Sequence, residues 1–355
     1  MPGGSVELSL LQMGLLSLLI VLVLILPLAV HRVEENLEFF LFGCGLAAVT
    51  VSHMWSGPLI LRALEDPIKI TLAVLVAGLL FRYCNHYLQR ITFKAVQHLG
   101  LKYTVCLLVL LLGLTSSLIT AIIAALVLSE LVIMLPLDRE QRIQLTIITC
   151  YSIGMGAVLT SIGEPLGTIV ISKLAGPPHH AGFFYLIQHV GGFVLLGVII
   201  LSVWSMRLKA NHVIPGPHIT DTQNDRSLKS MFIRAGKVYL FVMALTLLGE
   251  GLRPFALRTV SHLSANWLYW INTSSAVLDN ATLAAIEITH DISDRSLTFL
   301  LMSLVVSGGL MIPGNIPNII CASKLGIKSK EWVQHAWKIG LVFMTGFFLL
   351  LHIVL

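Results

Sequence analysis

The chain has 355 residues, 56% apolar and 12% charged, with a net charge of +5 and a mean hydropathy of +0.88. A soluble domain carries about 25% charged residues, so this chain has too little polar surface to shield its apolar content from water, and lipid is the solvent that fits it. No basic run is interleaved with aromatics, which sets aside nucleic-acid binding, and the cysteines (Cys44, Cys84, Cys106, Cys150, Cys321) form no CxxC or His/Cys cluster.

The uncharged stretch 8–30 is too long for a signal-peptide core and follows no basic segment; it reads as a first spanning helix. Further spans are predicted over 37–56 and, in shorter form, over 66–84. The region from Tyr103 to Leu135 has a single charge, Glu130. It is too long for one untilted helix and too short for two full spans. Its middle is a hydroxyl cluster, Thr115 to Thr120, and a hairpin over 103–135 is the reading. The region 143–174 is also overlong, and Gly154, Gly156, Gly163, Pro165 and Gly167 predict a helix broken in its middle. A clean span follows at 182–206. The polar linker 207–230 then divides the chain into halves, 1–206 and 231–355.

The second half repeats the pattern. A span over 231–252 fits if Arg234 and Lys237 sit at the membrane edge. A hairpin over 258–289 carries Thr273-Ser274-Ser275, echoing Thr115-Ser116-Ser117. A broken helix over 296–325 carries Gly308-Gly309, Pro313-Gly314-Asn315 and Pro317-Asn318, and 334–354 closes the chain. At an offset of 151, Gly163 aligns with Gly314 and Ser172-Lys173-Leu174 with Ser323-Lys324-Leu325. If both hairpins enter and leave on one side, three crossings separate them, so they enter from opposite faces. Arg62, Lys69, Lys173, Arg253, Arg258 and Arg295 then fall on one face and the other 17 of the 23 basic residues on the other. Full crossings would split them 11 to 12, with no bias, so the positive-inside rule favours hairpins. The expected fold is an all-α polytopic membrane protein of two inverted repeats, each with a re-entrant helical hairpin and a discontinuous transmembrane helix. It would sit in the cell membrane, N-terminus outside and loop 207–230 cytoplasmic.

Broken backbone at membrane depth is tolerated where it lines a cavity or is buried in protein, and paired breaks in inverted halves are transporter architecture. Asp279 stands in an apolar stretch beside Asn280 and Thr282. An intramembrane carboxylate flanked by amide and hydroxyl oxygens suits a hard cation such as Na⁺, or a proton; the plainer alternative is a helix cap. Glu164 lies in the first break, Asn315 and Asn318 in the second. Ser116, Ser117, Thr120, Thr160, Ser161, Ser274 and Ser275 are candidate lining hydroxyls, with capping and close packing as the alternative. Glu130 and Glu287, on the second arms of the hairpins, are candidate proton-relay acids.

At these motifs the chain resembles the ion transporter superfamily, which includes NhaD-type sodium/proton antiporters, arsenite pumps and dicarboxylate carriers. Ser275-Ala276-Val277-Leu278-Asp279-Asn280-Ala281-Thr282 is similar to the antiporters' Ser-Ala-x-x-Asp-Asn hairpin. Gly154 to Val170 and Gly308 to Ile320 are similar to their Gly/Pro breaks. In compact size the chain is similar to the DUF1646 putative cation transporters. The first hairpin lacks Asp-Asn and Ser-Asn-Thr, unlike dicarboxylate carriers, which implies an asymmetric site. Gly167 and Thr168 stand where the break motif has Asn.

The expected activity is cation/proton antiport, with Na⁺ and H⁺ as coupling ions and no cofactor. Asp279 and Asn280 would ligate Na⁺. The expected partners are the lipid bilayer and small inorganic ions, not nucleic acid, with a homodimer as one candidate assembly. The rival reading is a Na⁺-coupled carrier of a small anion. With no HExxH, GxGD or Ser/His pair on neighbouring spans, an enzyme is not expected.

Overall fold

A computed structural model describes residues 8–30, 32–33, 36–208, 228–260, 264–276, 280–288 and 292–355, and the described residues form helices and turns with no strand among them. Helix α1 (Leu10–Ala29) opens on a capping box in which Ser9 and Gln12 satisfy each other's backbone N–H groups. Helix α2 (Leu37–Val51) follows. Helix α3 (Gly57–Ile119) is interrupted at Gly100, whose φ of 77° is open to glycine and costly to other residues. It is therefore two helices, 57–99 and 101–119. Thr120, with φ 73°, turns the chain into α4 (Ala121–Met134), which packs against α3.

Helix α5 (Arg139–Ala157) is capped by Asp138, which accepts from Gln141 N at 2.8 Å. After a break it continues as the short α6 (Pro165–Lys173). Helix α7 (Tyr185–Ser205) completes the first half. The second half opens with α8 (Leu228–Val260). Then come α9 (Ala265–Ile271), a 3₁₀ turn (Asn272–Ala276) and α10 (Asn280–Glu287). Helix α11 (Asp294–Ser307) breaks and resumes as α12 (Ile316–Leu325), which Gly326 ends in the left-handed conformation. Helix α13 (Ser329–Val354) closes the fold.

Five helices among the described residues are long and apolar enough to cross a membrane: Leu10–Ala29, Arg90–Ile119 (which contains the bend at Gly100), Tyr185–Ser205, Ala235–Thr259 and Ser329–Val354. The chain is a multi-pass helical membrane protein.

Three elements differ from the sequence reading. The short span read over 66–84 is part of a helix running 57–99. No Gly or Pro interrupts 82–99, so the helix continues through this polar stretch until Gly100. Helix α8 runs on to Val260, past the expected end at 252, because its charges are satisfied locally: Arg253 pairs with Glu250 at 3.5 Å and Arg258 donates to Leu8 O at 2.6 Å. Gly154 and Gly156 lie inside α5 and do not break it. They give close approach instead. A Cβ on Gly156 would overlap the Gly113 carbonyl of α3, and one on Gly154 would lie 2.6 Å from Asn315 Nδ2. Of the expected linker 207–230, residues 209–227 lie outside the described residues.

Contacts between the halves are reciprocal. Arg139, at the start of α5, pairs with Glu331 at the start of α13 (3.0 Å) and donates to Gly326 O at 3.1 Å. Asp294, at the start of α11, lies 3.5 Å from His179, His189 and the Tyr185 hydroxyl around the start of α7. The short helices cross over in the same manner. Lys324 at the end of α12 pairs with Glu130 of α4. Lys173 at the end of α6 donates to the Ala285 carbonyl and, at 3.0 Å, to the Ile288 carbonyl around the end of α10.

Gly156→Val should therefore lower stability by about 1–3 kcal/mol through overpacking against Gly113. Thermal unfolding in detergent would show this as a lower midpoint. Gly192→Ala, where a Cβ meets nothing within 4 Å, is the matched control and should leave the midpoint in place.

Candidate functional site

The two interrupted helices bring helix ends of opposite polarity into the protein interior: the carboxyl ends of α5 and α11, and the amino ends of α6 and α12. Such ends carry unsatisfied backbone groups and partial charges. Glu164 and Asn315 are the N-caps of α6 and α12. Their backbones match, at φ −157°, ψ 164° and φ −154°, ψ 147°, and neither side chain caps its own helix. Glu164 is buried at 9% exposure. Asn315 points its amide at Gly154 of α5, so the second break touches the first broken helix directly.

The breaks are closed differently. In the second, Asn318 Nδ2 donates to Gly308 O at 2.9 Å and Met311 O at 3.0 Å, while Asn318 Oδ1 is buried with no hydrogen-bond partner. In the first, Gly167 stands at the matching place, and its Cβ would lie 2.5 Å from Thr160 O. There the Thr160 hydroxyl holds the loop, accepting from Ile162 N (3.2 Å) and Gly163 N (3.3 Å) and donating to Ser117 O at 2.5 Å. Gly163 and Gly314 are matched too: a Cβ on either would crowd the carbonyl at the end of the preceding helix, Ala157 or Gly308.

The first hairpin is fastened to the first break. Ala121 N donates to Gly163 O at 2.9 Å, and Ser116 Oγ donates to Gly113 O (2.7 Å) and Ile153 O (3.0 Å). Ser117 Oγ donates to Leu114 O within its own helix. Thr120 Oγ1 accepts from Ile123 N at 3.4 Å, capping α4 from a positive φ that is unfavourable for a β-branched residue. Ser161 takes part through its carbonyl, which accepts from the Thr168 hydroxyl at 2.7 Å. These hydroxyls are largely engaged by backbone.

The described residues of 264–288 also carry buried polar groups. Asp279 lies outside the described residues, as does the side chain of Thr282. Asn280 begins α10. It is buried, both its amide atoms are without hydrogen-bond partners among the described residues, and its Nδ2 is 2.5 Å from where a Gly308 Cβ would be. Ser274 is half-buried in the 3₁₀ turn, and Ser275 Oγ is 2.6 Å from Ser307 Oγ. Asn272 Nδ2 donates to Glu287 Oε2 at 3.1 Å and to Ser303 Oγ at 2.9 Å, and the Asn272 carbonyl accepts from Ser307 at 2.7 Å. Glu287 Oε1 and Asn272 Oδ1 are buried without partners. Asn272, Ser303 and Ser307 escaped the sequence reading. The available signal was two serines four residues apart in an apolar helix, on one face.

Of the two relay candidates, then, Glu130 is ion-paired with Lys324, both side chains below one-fifth exposed, whereas Glu287 is held by neutral groups. Lys324→Met would strand the Glu130 carboxylate and should cost about 3 kcal/mol. Adding Glu130→Gln should recover much of that loss. Thermal midpoints of the two singles and the double measure it, and strictly additive losses would show that the pair does not couple.

No curated protein matches the chain. A model of DUF1646, a family of proteins of unknown function, matches residues 13–354, nearly the whole chain, and the protein belongs to that family.

Proposed function

We propose that this protein is a secondary active transporter of the ion transporter superfamily type, exchanging Na⁺ for H⁺ by alternating access. The observation that carries the reading is the buried, unpartnered amide of Asn280 beside the second helix break, in the residue that follows Asp279. Unpartnered polar groups in a low-dielectric interior are costly. A site that takes up a small cation turns them into ligands. Asp279, Asn280 and Asn318 would supply carboxylate and amide oxygens. The amino ends of α6 and α12, capped by Glu164 and Asn315, would frame the site.

The inverted arrangement is supported by the contacts at the ends of the helices. Asp138, Glu140, Gln141 and Gln144 at the start of α5 line one surface pocket with Arg207 and Leu208 just past the end of α7, so α5 and α7 run oppositely. The start of α11 meets the start of α7, so α11 begins at the end opposite to the start of α5. Arg139, Arg207, Lys324 and Lys328 gather at one end, and Arg62, Lys173, Arg253 and Arg295 at the other. This supports the first end as cytoplasmic and both hairpins as re-entrant, each entering from its own face.

Cation and proton would compete for the site centred on Asp279. Each neutralises charge that the closed protein cannot hold unpaired, so the empty, charged site is disfavoured from reorienting. Exchange follows without further machinery. The second reading is a Na⁺-coupled carrier of a small anion. It draws on the amino end of α12, whose N-cap Asn315 is neutral and leaves the helix N–H groups uncapped by its side chain.

Purified protein in proteoliposomes should take up radioactive Na⁺ when a pH gradient is imposed, and Asp279→Asn should abolish uptake while keeping the wild-type thermal midpoint. Uptake in that variant at the wild-type rate would remove Asp279 from the mechanism. Strict dependence of uptake on an added anion would select the second reading.

A further inference from the structure

Glu287 is a half-buried acid for which the described residues show no ion pair. Its Oε2 accepts one hydrogen bond, from the Asn272 amide, and its Oε1 is buried with no partner. Among the described residues, Lys173 of α6 reaches this stretch of α10, and its ammonium donates to the Ala285 and Ile288 carbonyls. Arg253 of α8, within electrostatic range of Lys173, is paired with Glu250, as is Arg62. From the 3₁₀ turn the group facing Glu287 is the neutral Asn272, whose amide also bonds the neutral Ser303 of α11. The contrast with the other half is direct. There the equivalent short helix delivers Lys324 to the carboxylate of Glu130.

A buried carboxylate needs a partner charge or a proton. Lys173 is held by backbone oxygens and Asn272 is neutral, so the proton is what this environment accommodates without rearrangement. The same network reaches the proposed cation site. Asn272 bonds Glu287 through its amide and Ser307 through its carbonyl, and Ser307 precedes Gly308, against which Asn280 lies. The hydrogen-bonded chain from Glu287 through Asn272 to Ser307 thus ends one residue short of Gly308, the residue against which the Asn280 amide lies.

We propose that Glu287 is the group that takes up and releases the transported proton, with Asn272 as its positioning residue. The inference rests on the antiport reading and deepens it: the proton that competes with the cation for the site at Asp279 enters and leaves that site through Glu287. The proton comes from water on one face, bonds to the Glu287 carboxylate, and leaves as that carboxylate re-forms when the site opens to the other face. No oxidant, cofactor or further acid is required.

The test uses the full-length protein in proteoliposomes with two assays, ΔpH-driven Na⁺ uptake and Na⁺/Na⁺ isotope exchange with no pH gradient. Glu287→Gln should lose the first to the protein-free background and keep the second. Glu287→Asp should regain ΔpH-driven uptake with a displaced pH profile, which a merely structural role would not produce. Asn272→Ala should displace the pH profile of wild-type Glu287 in turn. Glu287→Gln with wild-type ΔpH-driven uptake and an unchanged pH profile overturns the proposal while leaving the antiport reading intact. Loss of both assays in Glu287→Gln and in Glu287→Asp, with thermal midpoints retained, assigns Glu287 to cation binding and also overturns it. Wild-type protein that carries no Na⁺, Li⁺ or K⁺ in either assay removes the antiport reading itself, and this inference with it.

Discussion

A backbone amide in hydrocarbon must find its partner inside the protein, and the whole architecture answers to that requirement. Continuous helices meet it along their length. Interrupted helices do not: each break leaves carbonyls at the end of one segment and amide groups at the start of the next. Both breaks here are lined mostly by buried residues, and each is closed by side chains of its own loop or of the helix that follows. Thr160 closes the first by accepting two amides and reaching across to Ser117. Asn318 closes the second by donating to Gly308 and Met311. Small residues at 156, 163, 167, 308 and 314 let the backbones approach closely enough for this to work.

Because each break needs neighbours, the two halves cannot be independent. The short helix after each break lies against the second arm of the other half's hairpin, and each broken helix starts beside the last helix of the other half. A movement of one half relative to the other must therefore disturb Lys324–Glu130 and Arg139–Glu331 at one end, or Lys173 and the Asp294–His179–His189 group at the other. Ion pairs join the halves at both ends, Lys324–Glu130 and Arg139–Glu331 at one and Arg62–Glu250 at the other, where lysine-to-carbonyl and histidine–aspartate contacts join them as well.

Much of this was legible in the sequence, and for physical reasons. Composition specified lipid as the solvent. Glycine and proline density marked both breaks to within a few residues, since helix continuity fails there. The hydroxyl cluster at 115–120 marked the chain reversal at Thr120. The Ser-Lys-Leu triplets at 172–174 and 323–325, weak as a string match, mark the two lysines that reach across between the halves. What escaped was set by tertiary contact. Gly154 and Gly156 look like helix breakers, but they serve close packing inside α5, and only the partners Asn315 and Gly113 decide between those roles. Helix 57–99 outlasts its apolar portion because helix propensity, not hydropathy, governs where a helix ends. Asn272, Ser303 and Ser307 are unremarkable in sequence. They matter because the fold joins Ser303 and Ser307 to Asn272, and Asn272 to Glu287.

The departure from likeness between the halves is the most informative feature of the site. Two halves with the same order of elements would be expected to treat their acids alike, yet they do not. Glu130 meets an ammonium ion, and the first hairpin's hydroxyls are engaged by backbone. In the other half, Asn272 Oδ1, Asn280, Glu287 Oε1 and Asn318 Oδ1 all keep buried polar atoms without partners. Folding ordinarily removes such groups or satisfies them, because each costs on the order of 1–3 kcal/mol. Four of them around one helix break amount to a cost that stability alone does not explain, and strain of that kind persists where function uses it.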